Sequence, residues 1–381
     1  MDFLLSTAQQ EARAQYRLFA ESKVKPLAQG IDEREEFPVQ TVKELGEHGW
    51  LGLPFSREYG GQNKDSLTTI LCIEELSKAC ASTGVIVSTH TFLCADTIYS
   101  QGSENQKSQF LKPLAQGKAL GAFALTEPDS GTDLTHLKTA AEFKDGHFIL
   151  RGGKIFITNA GYADTYIVFA ATDPGLGTKG LSAFIVEKDF PGLRIGRMIR
   201  KMGIRGSSQH EIFFDNCAVP KSNLLGELNA GYKIALHTLD GGRTGIAAQA
   251  LGIAQGAFDQ TVAYTNKRIQ FGRPITAFQN IQFKLASMKT RIEAARLLVY
   301  RAAAAKDTKN RFSEEAAMAK LFASETAMAV TTCCLQMHGG YGYTKDHPIE
   351  RMMRDAKITE IYEGTSEVQK MVIAAYTIPQ Q

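Results

Sequence analysis

The run Ile361-Tyr362-Glu363-Gly364-Thr365-Ser366-Glu367 sets a carboxylate behind two bulky side chains and ahead of a glycine. Ile361 and Tyr362 are expected to strip water from Glu363, which raises a carboxyl pKa toward the range useful to a general base. Gly364 has no side chain to keep a ligand off the backbone, and Thr365 or Ser366 supplies a hydroxyl that caps a following helix. Local chemistry alone also admits a plain tight turn before a C-terminal helix.

Two further stretches gather polar groups. In Phe123-Ala124-Leu125-Thr126-Glu127-Pro128-Asp129-Ser130-Gly131-Thr132-Asp133 a strand ends in a turn rich in hydroxyls and free amides; the same residues would serve as an ordinary proline and glycine turn. Arg268, in Arg268-Ile269-Gln270-Phe271-Gly272-Arg273-Pro274, suits a pyrophosphate oxygen through a forked contact, or a solvated place at a helix end. Gly175, Gly177 and Gly180 have GxGxxG spacing. That motif must open a helix, and Leu181 to Val186 read as a strand, so a loop between strands is expected.

Three blocks must hold these groups. From Ser6 to about Gly117 the spacing is helical, with capping boxes at Ser6/Gln9 and Ser103/Gln106, Pro38 suiting a first turn and Gly49 an ending. A helix from Ser66 to Cys80 carries Leu67, Ile70, Leu71, Glu74 and Glu75 in alternating apolar and polar arcs, and another starts near Thr83. Beyond Leu120 come short strands at Gly121 to Leu125, Lys138 to Phe143, His147 to Leu150, Lys154 to Thr158, Tyr166 to Ala171, Leu181 to Lys188 and Glu211 to Phe214. Asp145-Gly146 marks a hairpin among them, and the reading is a small antiparallel β domain ending near Gly226. From Asn229 the helices return. Gly242, Gly245, Gly252 and Gly256 with intervening alanines imply close helix packing despite the cost of glycine. Phe278, Ile281, Leu285, Met288, Ile292, Ala295 and Val299 form a stripe of core or subunit interface, opposite Lys284, Lys289 and Glu293. Helices from Ser313 to Met337 and Thr365 to Tyr376 follow. The expected fold class is therefore α+β and multidomain, divided as helical residues 1–118, β residues 119–226 and helical residues 227–381.

A chain of 381 residues needs two or three domains. Lys plus Arg number 43 against 40 Asp plus Glu, a formal charge of +3. That balance argues against nucleic acid or an anionic membrane surface as partner, so an anionic ligand must meet locally placed cations. No run nears the roughly 20 apolar residues of a membrane span. Met1 to Gln10 shows no basic start followed by an apolar core, so no targeting peptide is expected; a bacterial-type cytoplasmic protein fits, as does a processed matrix protein. The six cysteines lack CxxC spacing and read as small buried residues in a reducing compartment. The eight histidines form no HExxH or i,i+4 pair, and no metal is expected.

Arg354-Asp355-Ala356-Lys357-Ile358 followed by Ile361-Tyr362-Glu363-Gly364-Thr365 resembles the C-terminal signature of the acyl-CoA dehydrogenases. The resemblance covers essentially the whole chain and is closest to the short-chain, butyryl-CoA branch. It implies that family's fold, with a four-helix bundle as the C-terminal domain, and FAD-dependent oxidation of acyl-CoA to trans-2-enoyl-CoA. Glu363 would take the α proton and flavin N5 the β hydride. The turn after Phe123 resembles the first flavin motif, which puts Phe123, Leu125 and Thr126 near the ring and Gly131 and Thr132 near the phosphates, Thr132 also close to the acyl-CoA. Lys154-Ile155-Phe156-Ile157-Thr158-Asn159 resembles the second, with Thr158 bonded to the ring and Ile157 and Phe156 beside it. Many relatives carry tryptophan at the position of Phe156; an aromatic shield is kept, although Phe156 could equally face inward from a strand. By the same resemblance Arg268, Gln270, Phe271, Gln279 and the run Gln336-Met337-His338-Gly339-Gly340 reach FAD of a neighbouring subunit in a homotetramer built as a dimer of dimers. Thr365, Ser366 and Glu367 also touch the cofactor, and Asp240, Arg243, Tyr362 and Gly364 the substrate.

Some relatives place the catalytic glutamate directly before the arginine of Asp240-Gly241-Gly242-Arg243, where this chain has Gly242. The resemblance further implies electron-transfer flavoprotein as acceptor, and Gly84-Val85-Ile86-Val87-Ser88 at an acyl-pocket helix whose floor His90 would alter. Arg351, Arg354 and Asp355 are read as a structural ion-pair network. The same scaffold serves flavin oxidases and monooxygenases, and a non-catalytic helical assembly protein could keep the packing without the site.

Overall fold

Capping chemistry starts the first helix. In the computed structural model, which describes residues 5–378, α1 (Thr7–Phe19) opens with Ser6 Oγ accepting from the Gln9 N–H at 3.3 Å and the Gln9 side chain accepting from the Ser6 N–H at 3.0 Å. This reciprocal box satisfies two end donors. Residues 1–4, within the stretch read for a targeting peptide, and residues 379–381 of the third block lie outside the described residues. Pro38 stands just before α2 (Val39–Glu47), as its N-cap, and Gly49 leaves the helix at φ 72°.

The next helix, α3 (Ser66–Ala79), corrects the reading of a polar arc, because Glu74 and Glu75 are buried. Arginines take the place of water there. Arg13 meets Glu75 at 2.6 Å and Glu74 at 2.9 Å, Arg17 meets Glu75 at 3.0 Å, and Arg296 of the third block also pairs with Glu74. Burial alone would raise the Glu75 carboxyl, but hydrogen bonds from Arg17 and Arg13 hold it below its usual value.

α4 (Ala81–Ser88) runs into a wide π-helical turn over Thr89–Ala95 that holds His90. His90 is fully buried, its Nδ1 accepts from the Gly121 N–H at 3.0 Å, and burial pushes its pKa down to about 4. It is a neutral joint between the helical block and the first strand.

Eight strands follow, β1 (Gly121–Ala124), β2 (Ala140–Lys144), β3 (His147–Thr158), β4 (Thr165–Ala171), β5 (Leu181–Glu187), β6 (Leu193–Met198), β7 (Gln209–Pro220) and β8 (Leu224–Leu225). They join in one sheet of order β6-β7-β3-β2-β4-β5-β8, with β1 on β4. The sheet is antiparallel along most of that path, but β1 runs parallel to β4 from Gly121/Thr165 to Ala124/Val168, and β2 meets β4 in parallel at Ala140/Ala171. Asp145 and Gly146 turn the β2/β3 hairpin with φ of 48° and 79°, the pair of positive angles such a turn demands. The two strands expected at 147–150 and 154–158 are one, broken in register between Leu150 and Gly152 and between Lys154 and Ile157. β6 was not expected: its Arg194 and Arg197 interrupt the apolar pattern on an edge strand. Pro174–Gly180 is a run of tight turns between β4 and β5, with no helix opening after it.

The third block packs α5 (Gly231–Lys267), a small hairpin of β9 (Ile269–Gln270) and β10 (Arg273–Pro274), α6 (Gln279–Thr308), α7 (Ser313–His338), α8 (Ile349–Lys357) and α9 (Ser366–Thr377). The glycines of α5 let it meet α3 backbone to backbone. A Cβ at Gly252 would sit 2.4 Å from the Glu74 carbonyl, and one at Gly256 2.5 Å from the Lys78 carbonyl. The α6 stripe is buried from Met288 to Val299, while Phe278, Ile281 and Leu285 stay half-buried. Of the three residues read as an ion-pair network, only Arg354 forms ion pairs among the described residues, with Asp32 at 2.6 Å and Glu350 at 2.7 Å; Asp355 accepts from the Ile204 N–H and Arg351 donates to the Ala79 carbonyl at 3.4 Å, so the cluster ties the blocks together largely through backbone contacts.

Gly252→Ala is expected to lower the unfolding free energy by about 1–3 kcal/mol through overpacking, against alanine's better helix propensity. A urea midpoint equal to or above that of the parent would refute the close approach.

Candidate active site

Glu363 occupies a corner between the short helical turn Ile358–Glu360 and α9. Its φ is 55° and that of Gly364 is 88°, so a non-glycine residue is held in the left-handed region, which persists only where surroundings enforce it. Here they do. Lys320 Nζ donates to the Gly364 carbonyl at 2.7 Å, and Gln369 Nε2 donates to the Gly364 and Glu363 carbonyls at 2.8 and 3.1 Å. Arg243 Nε reaches the Glu363 carbonyl at 3.5 Å. Of the two candidate caps, Thr365 does the work: its Oγ1 accepts from the Val368 N–H at 3.4 Å, while Ser366 Oγ is buried without a partner among the described residues.

The Glu363 carboxylate lies against α5. A Cβ on Gly242 would fall 2.6 Å from both Glu363 Oε2 and Leu93 Cδ2. Although the residue as a whole is half-buried, Oε2 is sealed and has no hydrogen-bond partner among the described residues. Burial lifts this carboxyl to about 7, with Arg243 and Lys320 pulling the other way. The Glu363 N–H likewise finds no acceptor among the described residues. The expected part of Ile361 in drying the site is corrected: it is 48% exposed, on the outer side of the turn. Tyr362 does pack on the core, and its hydroxyl bonds Gln249 Oε1. Asp240 and Arg243 pair with each other at 2.6 Å one turn apart, and Asp240 Oδ2 also accepts from Ser313.

On the sheet side, Phe123 and Leu125 are buried, Thr126 is half-buried, and Gly131 and Thr132 are exposed in the turn after β1. Glu127 anchors that turn, Oε1 accepting from Lys154 Nζ at 2.7 Å and the Thr139 N–H at 2.9 Å, and Oε2 from the Lys138 N–H at 2.6 Å. Lys154 also donates to the Leu125 carbonyl at 3.0 Å; burial lowers its pKa to about 8 while Glu127 opposes the fall. The register break after Lys154 turns Phe156 outward, at φ 62° and 54% exposed, which settles against an inward strand position. Ile157 points into the sheet core, Thr158 is half-buried, and the Ile155 N–H donates to the Thr126 carbonyl at 3.0 Å, setting Thr126 alongside. Leu93, which borders the Glu363 carboxylate, belongs to the same apolar cluster as Phe123 and Leu125.

The remaining candidates gather elsewhere. Arg268, Gln270, Gln336, Met337, Gly339 and Gly340 line one cleft of about 500 Å³. The Arg268 guanidinium lies 5.3 Å from the Tyr341 ring centre. Phe271 is 92% exposed at the hairpin tip and Gln279 is exposed at the start of α6. This cleft adjoins the far end of α5, roughly 37 Å along the helix axis from Gly242 at 1.5 Å per residue.

Sequence reasoning missed Lys320, Gln369 and Gln249 at the corner, and the anchoring role of Glu127 with Lys154. For Lys320 a signal existed, a lone cation in the run Ala316-Ala317-Met318-Ala319-Lys320-Leu321-Phe322-Ala323.

Sequence models of the acyl-CoA dehydrogenase N-terminal, middle and C-terminal domains match residues 6–118, 122–217 and 229–377. A short-chain specific acyl-CoA dehydrogenase of Clostridium acetobutylicum is 54% identical over 98% of this chain and 99% of its own. Butyryl-CoA dehydrogenase from Megasphaera elsdenii superposes with a TM-score of 0.98 at 47% identity, covering 100% of both chains. A chain in the structure of the electron transferring flavoprotein of Acidaminococcus fermentans superposes with a TM-score of 0.99 at 49% identity, again with 100% of both covered.

Lys154→Met would leave the Glu127 carboxylate buried and unpaired, and a loss of about 3–5 kcal/mol of unfolding free energy is expected. Urea unfolding should show Glu127→Gln combined with Lys154→Met recovering much of it. A double variant as unstable as the sum of the singles would refute the pairing.

Proposed function

The chain belongs to the acyl-CoA dehydrogenase family, and from that premise we propose that Glu363 is the base that removes the α proton of a short-chain acyl-CoA. The protein is an FAD-dependent acyl-CoA dehydrogenase, an oxidoreductase acting on the CH–CH bond next to the thioester. FAD supplies the acceptor for the hydrogen that leaves the β carbon.

The residues fit such a group. Phe156 offers an exposed ring on the strand that carries Thr158, a Cβ on Gly131 would meet no atom within 4 Å, and Oε2 of Glu363 is buried with no partner among the described residues. That unpartnered carboxylate is the observation that carries the reading. A structural glutamate this deep would be hydrogen-bonded or paired. A base must keep a free oxygen for the proton it takes.

The Glu363 N–H, also without an acceptor among the described residues, is suited to the thioester carbonyl, where a donor stabilises the charge that develops as the α proton leaves. Tyr362 and Gly364 wall the reacting end. Asp240 engages both carboxylate oxygens with Arg243 and Ser313, so its part is to hold Arg243 toward the substrate and the Glu363 carbonyl. Thr365, Ser366 and Glu367 at the start of α9, with Thr132, complete the contacts we assign to cofactor and substrate.

Arg268 and its cleft lie too far along α5 to meet a flavin seated beside Glu363 of the same chain. We assign them to the flavin of a second copy, in a homotetramer arranged as a dimer of dimers. Exposed Phe271, Ile269, Phe283 and Tyr343 around the hairpin and α6 supply the apolar surface such assembly needs. The other readings we carry are electron-transfer flavoprotein as acceptor and a bacterial-type cytoplasmic location, the latter supported by unpaired cysteines, five of them buried. Among the described residues no helix is long and apolar enough to cross a membrane. The domain limits 118/119 and 226/227 are placed where helices give way to β1 and where β8 gives way to α5.

Glu363→Gln is expected to give a yellow protein that binds acyl-CoA without fast loss of flavin colour; normal bleaching in that variant would refute the assignment. In the parent, a carboxyl titrating at about 7 must be ionised to accept a proton. The kcat/KM profile should therefore fall as pH drops below that point, approaching about tenfold per unit. A profile flat from pH 5 to pH 8 would contradict it.

A further inference from the structure

We propose that Lys320 is a positioning residue for this base: its buried ammonium, reaching from α7, fixes the Gly364 carbonyl and serves as the cation that keeps the neighbouring Glu363 carboxylate ionised. The inference rests on the reading of Glu363 as the base.

Lys320 is fully buried, among equally buried Ala316, Ala317, Ala319 and Ala323 on its own helix. Leaving a lysine there is unfavourable unless its charge has a use or a partner, and Lys320 makes no ion pair among the described residues. Its Nζ instead donates to the Gly364 carbonyl at 2.7 Å, the second residue of the left-handed corner. The charged groups facing it are Glu363 itself, Glu360 from the preceding turn, Glu367 from α9 and Arg243 from α5. Arg243 taken singly acts more strongly on Glu363, but Asp240 lies 2.6 Å from it and offsets its charge. Lys320 has no carboxylate in salt-bridge contact among the described residues. Burial lowers its pKa to about 8, with Glu363 foremost among the groups that raise it, so it is mostly a cation at neutral pH and is half deprotonated at about pH 8. Gln369 meets the same Gly364 carbonyl and that of Glu363 as well, so the corner keeps hydrogen bonds when Lys320 is replaced, while the field of the cation is lost.

The test uses flavin-loaded holoenzyme in three variants. Lys320→Met removes donor and charge, Lys320→Gln keeps a donor without charge, and Lys320→Arg keeps both. Met and Gln should move the acid limb of kcat/KM upward by roughly one pH unit, a loss of about tenfold below pH 6 that closes above pH 8, and Arg should restore the parent profile. An infrared titration of the protonated Glu363 carboxyl, identified by its absence in Glu363→Gln, should show the same displacement without reference to turnover. A purely structural lysine would lower rates at every pH and leave both titrations in place, and that result would overturn the proposal. If Glu363→Gln still bleaches flavin normally, the base assignment fails and this inference with it. If Glu363→Gln is inert while the Lys320 titrations do not move, the base stands and only Lys320 is misassigned.

Discussion

A carboxylate oxygen held away from water, with no partner among the described residues, is the constraint on which the rest depends. Ionised, it is a costly group to bury, and the fold meets that cost without ending its availability. Arg243 and Lys320 stand near enough to favour the charge, yet both donate to backbone carbonyls of the corner and leave the carboxylate oxygens free. Gly242 leaves the space the oxygen occupies.

A second buried glutamate shows the alternative. Glu127 sits as deep as the sheet allows, and burial alone would raise it; Lys154 and the surrounding donors instead hold it below the usual carboxylate range. Every oxygen is engaged, and the result is an anchor for a turn. Glu127 and Glu363 are the same side chain, each with an oxygen shut from water, and the number of donors aimed at the carboxylate decides which one can take up a proton.

Much of this was legible from residue order. The Ser6 box, the Asp145-Gly146 hairpin and the small-residue helix rest on interactions within a few residues, or on bulk that any partner must respect, and they stand in the structure. What escaped depends on distant partners. Glu74 and Glu75 read as a solvent arc because the arginines that pair with them come from α1 and α6. The parallel register of β1 on β4 joins segments about forty residues apart, which no alternation rule reports. Phe156 faces outward because one register break flips the strand, and Ile361 lies on the wrong side of a turn whose handedness the sequence only hints at through Gly364. Lys320 is the instructive case: an isolated charge among alanines was visible, but not the carbonyl it was for.

The length of α5 carries one more consequence. Gly242 lies about a third of the way along it and Arg268 just past its end, so that helix is a rigid spacer between the Glu363 corner and the Arg268 cleft. Adding a single residue anywhere between them would swing one end about the axis by about 100° relative to the other. Evolution can therefore vary the loops of this chain freely in size, but along this helix it can exchange residues and not count them differently.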